Sequence, residues 1–309
     1  MFRLVVADVD SPSYFVATAA VELGFFKAEG IDIEFEPVFG AAGGMERLRD
    51  GSVHFFGGPA YAATSAFPGW KGVKFLCALA QYSYWFMAVR ADLDVSRGDI
   101  DALKGLRISS SMAFPVMGLR YMLDQAGIDL ERDNVRIVPA PSAKPGTHWR
   151  GRVGVDAIEQ GADAYWGNGM RVAIGESLGV AKLHLDLRRG DGPPGARWYN
   201  FAALTTTERL IEEDPQIAAG AVRAIVKTQK ALKADPSLAA QIGNRLSFPP
   251  EEASLIAGLI ARDAPFYDAK IVPEAVEGLN KFALANGLIA EPVPYDRLVA
   301  AQFRQLWNG

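Results

Sequence analysis

The sequence predicts an α/β fold of two lobes hinged by two crossover segments, with a helical C-terminal segment. Three observations predict it. Apolar runs of strand length alternate with segments of helical periodicity. The same alternation restarts after about residue 90, and beyond about residue 208 helical periodicity takes over. With 309 residues, half of them hydrophobic and 22% charged, the chain can fill two cores at roughly 150 residues each. That apolar content excludes wholesale disorder.

Residues 3 to 8 read as a buried strand from their continuous apolar run. Asp10-Ser11-Pro12-Ser13 supplies helix-start chemistry, and Phe15, Ala19, Leu23 and Phe26 recur at helical spacing, predicting a helix from Tyr14 to Glu29. Gly30 ends it as a left-handed cap. Ile31 to Glu36 alternates apolar and charged residues and predicts a second strand with one wet face. Residues 40 to 44 predict a flexible glycine-rich loop before a helix from Met45 to Asp50. Val53 to Phe56 predicts a third strand, broken by Gly57-Gly58-Pro59. A helix through Ala66 and a strand from Val73 to Leu79 follow.

In the second lobe, strands are predicted at Leu106–Ile108, Asn134–Val138 and Ala162–Trp166, and helices at Val116–Ala126 and from Val155 to about Gly161. The alternation predicts largely parallel sheets. The chain crosses between lobes near 86–91 and 197–205, which gives one lobe from residues 1–88 and 200–309 and another from 89–199. The later helices begin at or near Pro215, Pro236 and Pro273, a favoured proline position.

A net charge of −4 leaves no basic field for nucleic acid or an anionic membrane. One cysteine makes neither an internal disulfide nor a Cys-based zinc site. The three histidines are isolated from each other and from acid clusters, so no metal is expected, and without a phosphate-binding glycine loop no cofactor is expected either. Nothing approaches the ~20 apolar residues of a membrane span. Met1-Phe2-Arg3 leads straight into Leu4-Val5-Val6-Ala7, so the sequence as written reads as cytoplasmic, and as periplasmic if an export signal lies upstream of it.

The run from Phe15-Val16-Ala17 through Gly24-Phe25-Phe26-Lys27-Ala28-Glu29-Gly30-Ile31-Asp32-Ile33 carries a resemblance. It continues through Leu48-Arg49-Asp50-Gly51-Ser52-Val53, Ala102-Leu103-Lys104-Gly105-Leu106-Arg107-Ile108, Glu159-Gln160-Gly161-Ala162-Asp163-Ala164, Thr207-Glu208 and Asp214-Pro215. In this order the motifs resemble the NMT1/THI5-like solute-binding proteins for sulfonates, taurine and thiamine precursors, over residues 4 to 240. The resemblance implies a type II periplasmic-binding-protein-like architecture of two Rossmann-like lobes, closing on a small molecule at strand-end loops. It also implies an ABC-transporter permease as a possible partner, with the protein a monomer or weak dimer.

Two departures stand out. His54 takes the place of the family's usual acidic residue, and no signal peptide is present. A weaker resemblance is to the aryl-sulfinate desulfinases on the same fold, carried by Val53-His54-Phe55 and Pro59-Ala60-Tyr61. Their nucleophilic cysteine would fall on Ser11 and their catalytic arginine near Ala63.

Each candidate residue has a functional and an ordinary reading. Ser109-Ser110-Ser111, between a strand and a helix, can bind an anion through hydroxyls and backbone N–H groups, or simply cap the helix. Ser11 is similar. Tyr82, Tyr84 and Trp85, with Tyr165-Trp166, can sandwich a planar ligand or pack a core, and Tyr14 is expected to face the cleft. Gly43, Gly58 and Asn168 are expected to face the cleft. His54, oriented by Asp10 or Asp8, can serve as a general base with Ser11, contact the ligand, or be a satisfied strand-end histidine. Arg150, in the basic stretch with Lys144, His148, Trp149 and Arg152, can clamp an anion or sit in a solvated loop. Gly175-Glu176-Ser177-Leu178-Gly179 lacks the strand a nucleophile elbow needs, and Cys77 reads as an inert buried thiol. The leading expectation is a binding protein for a small planar, anionic aromatic or heteroaromatic ligand. The alternative is a metal-free lyase, decarboxylase or hydrolase acting on a similar molecule with His54 as base.

Overall fold

A computed structural model describes residues 1–38, 40–142 and 151–308. Its strands are β1 Phe2–Ala7, β2 Ile33–Val38, β3 Phe55–Pro59, β4 Val73–Ala80, β5 Phe86–Arg90, β6 Arg107–Ser110, β7 Arg136–Pro139, β8 Ala164–Gly167, β9 Ala181–Asp186 and β10 Ala202–Thr207. They form two five-stranded sheets, ordered β2-β1-β3-β10-β4 and β7-β6-β8-β5-β9.

Both sheets are mixed, where the alternation predicts largely parallel ones. β1 runs parallel to β2 and β3, and β6 parallel to β7 and β8. β10 is antiparallel to β3 and β4, and β5 is antiparallel to β8 and β9. The segments expected as crossovers are thus strands in their own right. Phe86–Val89 and Ala202–Thr206 are buried on both faces, as an interior strand must be, so the crossing chain is threaded between existing strands.

The helices are α1 Pro12–Glu22, α2 Phe25–Ala28, α3 Ala41–Asp50, α4 Phe114–Gln125, α5 Val153–Glu159, α6 Gly169–Ser177, α7 Glu208–Glu213, α8 Pro215–Ala234, α9 Leu238–Arg245, α10 Pro250–Asp263, α11 Pro273–Ala285 and α12 Tyr295–Leu298. The single helix expected over 14–29 is split into α1 and α2 because Gly24 adopts φ +75°. The glycine-rich stretch expected as a loop is instead the first turn of α3. Gly44 lets that helix lie on the first sheet, since a Cβ there would sit 2.6 Å from the Phe56 ring. The segment through Ala66 is a 3₁₀ turn, Ala60–Ser65. Ser177 donates to the Ile174 carbonyl at the end of α6, which is no nucleophile elbow. Cys77 is fully buried in β4, and burial pushes its thiol pKa up.

α8 packs on α1, α2 and β4, on the first sheet's side. α10 packs on α9 and α1 and also on α6, which belongs to the second sheet's layer. At its end, Asp263 accepts from the Tyr84 hydroxyl and pairs with Arg188 at 2.9 Å and Arg262 at 2.8 Å. Arg188 also pairs with Asp186 at 3.0 Å and lies 4.3 Å from the Phe266 ring centroid. Burial opposes ionisation of Asp263, but Arg188 and Arg262 outweigh it and hold the carboxyl below its usual range. This buried cluster ties α10 to the second sheet beside the segment linking β4 to β5.

Candidate functional site

A cavity of about 280 Å³ opens between the two sheets. Its walls come from the carboxyl ends of parallel strands, where ligands of open α/β sheets bind. Ala7 and Asp8 end β1, and Pro59 ends β3. Gly40, Ala41 and Ala42 form the uncapped start of α3. From the second sheet come Ser111 to Pro115, which lead from β6 into α4, and Arg171 of α6. The N-termini of α3 and α4 therefore meet the cavity, and both place partial positive charge there.

Among the described residues, Arg171 is the only cationic side chain in the cavity wall. It is 5% exposed, makes no ion pair among the described residues, and its Nε has no hydrogen-bond partner. The backbone around it is fixed on every side. Its N–H donates to the Asn168 side-chain carbonyl at 3.1 Å, and its own carbonyl accepts from the Tyr165 hydroxyl at 3.0 Å. Gly167 leaves room for the aliphatic stem, because a Cβ there would lie 3.2 Å from Cδ of Arg171. A buried guanidinium held this firmly, with no ion pair among the described residues, can receive an anion.

Among the described residues, four aromatic side chains join the wall: Tyr14, Tyr61, Trp85 and Phe114. Tyr61 stacks on Phe114 across the cleft, with centroids 4.9 Å apart. Trp85 is backed by Trp166 at 5.7 Å, the rings within 6° of parallel. Trp166 therefore orients Trp85 from behind and does not itself line the cavity.

Beside the cavity lies a second group of buried polar side chains. Asp10 neighbours Arg171 and Asn168, and its Oδ2 has no hydrogen-bond partner among the described residues. Burial, helped by the Asp8 charge, pushes the Asp10 pKa up to about 6. Glu252 of α10 accepts from the Gly151 N–H at 3.2 Å, and burial with the Asp10 charge raises it to about 8.

Of the sequence-derived candidates, Tyr14, Trp85 and Ser111 line the cavity. Asn168 serves it indirectly as the N-cap of α6. Ser109 and Ser110 lie inside β6, and α4 begins only at Phe114, so the serines cap no helix. Ser11 is buried and shares a 3.1 Å hydrogen bond with Ser13. Gly43 lies within α3, and Gly58 packs between Phe56 and Ala7. Tyr84 belongs to the Asp263 cluster. Arg150 lies outside the described residues, while Arg152 pairs with Glu251 at 3.2 Å.

His54 is not brought to the cavity. It precedes β3, whereas the cavity takes the other end of that strand, at Pro59. Its Nδ1 accepts from the Arg3 N–H at 3.1 Å, its ring packs edge-on against Phe2, and it lines a separate small cavity with Arg209 and Glu213. Its carbonyl accepts from the Thr206 hydroxyl at 2.8 Å. Arg171, Tyr61, Phe114 and Asp8 were missed by the sequence reading. Among the described residues no group of three or more metal-binding side chains occurs, and no helix is long and apolar enough to cross a membrane.

Comparison with known structures places the fold. The periplasmic aliphatic sulfonate-binding protein SsuA from Escherichia coli matches at 14% identity and TM-score 0.70, over 96% of this chain and 90% of that one. The periplasmic nitrate-binding protein NrtA from Synechocystis PCC 6803 matches at 15% and 0.68, over 99% and 87%. The desulfurization enzyme DszB matches at 17% and 0.65, over 99% and 98%. A cysteine-to-serine mutant of DszB is known in complex with biphenyl-2-sulfinic acid. At these identities the likeness shows a shared two-lobed fold, which hosts binding proteins and an enzyme alike. Among curated proteins none matches significantly. The NMT1/THI5-like family model matches residues 11–239, the greater part of the chain, and the protein belongs to that family.

Proposed function

We propose that this protein is a solute-binding protein that captures a small planar ligand bearing an anionic group. The observation that carries the reading is Arg171, a buried guanidinium that makes no ion pair among the described residues, set in an aromatic wall between two sheets. The anion pairs with Arg171 and draws on the start of α3. The ring lies against Trp85 and the Tyr61–Phe114 pair. A water's share of liquid volume is about 30 Å³, so the cavity equals roughly nine waters, suited to a substituted single ring. Lobe closure then hides the ligand, and release to an ABC-type permease is the matching downstream role. The lobes divide in the loops preceding β5 and β10, so that β5 moves with the second lobe.

Native mass spectrometry of the protein in a pool of small aromatic acids tests this. A stable one-to-one adduct that is released unchanged is expected. Arg171→Met is expected to weaken it about 100-fold, the loss of a buried charge-assisted pair, without a fall in Tm. Consumption of a metabolite in excess over the protein overturns the binding reading in favour of an enzyme.

A further inference from the structure

Arg171 is not the only charged group of the cavity wall without an ion pair among the described residues. Asp8 lines the same space, immediately after β1, and its carboxylate makes no hydrogen bond or ion pair among the described residues. Its backbone sits at φ +44°, off the strand path, while its carbonyl is engaged by the Ser11 N–H at 2.7 Å. Strained backbone of this kind persists where the surroundings over-determine it, commonly at ligand sites. A purely anionic ligand has no use for this group and would be repelled by it.

We propose that the ligand is dipolar: an aromatic or heteroaromatic acid that also carries a cationic or N–H donor group, with Arg171 holding the acid and Asp8 the donor. This rests on the ring-and-anion reading above and adds a second pole to it. The two charges come from different sheets, Asp8 from the end of β1 and Arg171 from α6. A dipolar ligand therefore neutralises one group on each lobe and bridges them. A simple anion satisfies one lobe and leaves the carboxylate of the other facing it, which costs affinity.

Isothermal titration calorimetry with benzoate, benzylamine and the three isomers of aminomethylbenzoate, each acid also as its sulfonate, tests the proposal. At least one zwitterionic isomer is expected to bind ten-fold or more tightly than the matching simple anion. In Asp8→Asn, which keeps the side-chain shape and tolerates positive φ, that preference is expected to vanish and the simple anion to bind more tightly than before. Equal affinity of simple and zwitterionic anions for the unmodified protein overturns the dipolar inference alone, whatever Asp8→Asn does. A preference that survives in Asp8→Asn removes Asp8 from the role and overturns it too. Failure of every anionic probe to bind overturns the ring-and-anion reading, and this inference with it.

Discussion

Arg171 occupies the third position of α6, after the Asn168 cap. There a cation opposes the positive end of the helix dipole, where an acid is the favourable choice. Local contradictions of this kind gather at functional or strained sites, and this one was present in the sequence as Asn168-Gly169-Met170-Arg171. It was overlooked because reading it requires the helix start to be placed within one residue. His54 shows the reverse error. Histidine drew attention for its chemistry, yet strand direction alone puts it at the far end of β3 from the cavity. His54→Ala is accordingly expected to bind ligand within about two-fold of the unmodified protein. Calorimetry checks this, and a ten-fold loss would return His54 to the site.

At the scale of the element, the sequence showed most helices and strands but misjudged those whose identity depends on a neighbour. The glycines of α3 look like loop chemistry, since glycine disfavours helix. The sheet below decides otherwise, because only a residue without a side chain lets α3 approach Phe56. Gly44→Ala gains helix propensity but puts a Cβ 2.6 Å from that ring. A net destabilisation of about 1–2 kcal/mol is expected, read as a lower denaturation midpoint with unchanged slope. β5 and β10 read as connections in the sequence because no short-range pattern distinguishes a buried crossing segment from a strand threaded into a sheet. The cluster that ties α10 to the second sheet was equally illegible, since Tyr84, Arg188 and Asp263 are far apart in sequence. Arg188 is the buried cation that Asp186 and Asp263 share, and its loss leaves each with one partly exposed arginine, so Arg188→Met should cost about 3 kcal/mol. Urea denaturation measures it, and a loss below 1 kcal/mol would mean the cluster is dispensable.

For the whole molecule, the region where α10 meets both sheets sets a pH dependence. Burial raises Glu252 from 4.5 to about 8 and Asp10 from 3.8 to about 6. Within those windows the unfolded chain has released protons that the folded protein still holds, so stability falls as pH rises. The Glu252 contribution is complete below about pH 4.5 and lost by about pH 8. Glu252→Gln is expected to raise Tm at pH 8 by several degrees and to change it little at pH 5. Thermal melts at both pH values decide this, and an equal shift at each would reject the assignment. By itself the sequence determined the two α/β lobes, their order along the chain, the helical C-terminal segment and the family, because periodicity and motif order are local properties repeated over many residues. Only the tertiary structure decided which side chains meet in the cleft. Asp8, Tyr61, Phe114 and Arg171 lie on four separate segments, and their convergence depends on strand direction, threading and register, which no local pattern encodes.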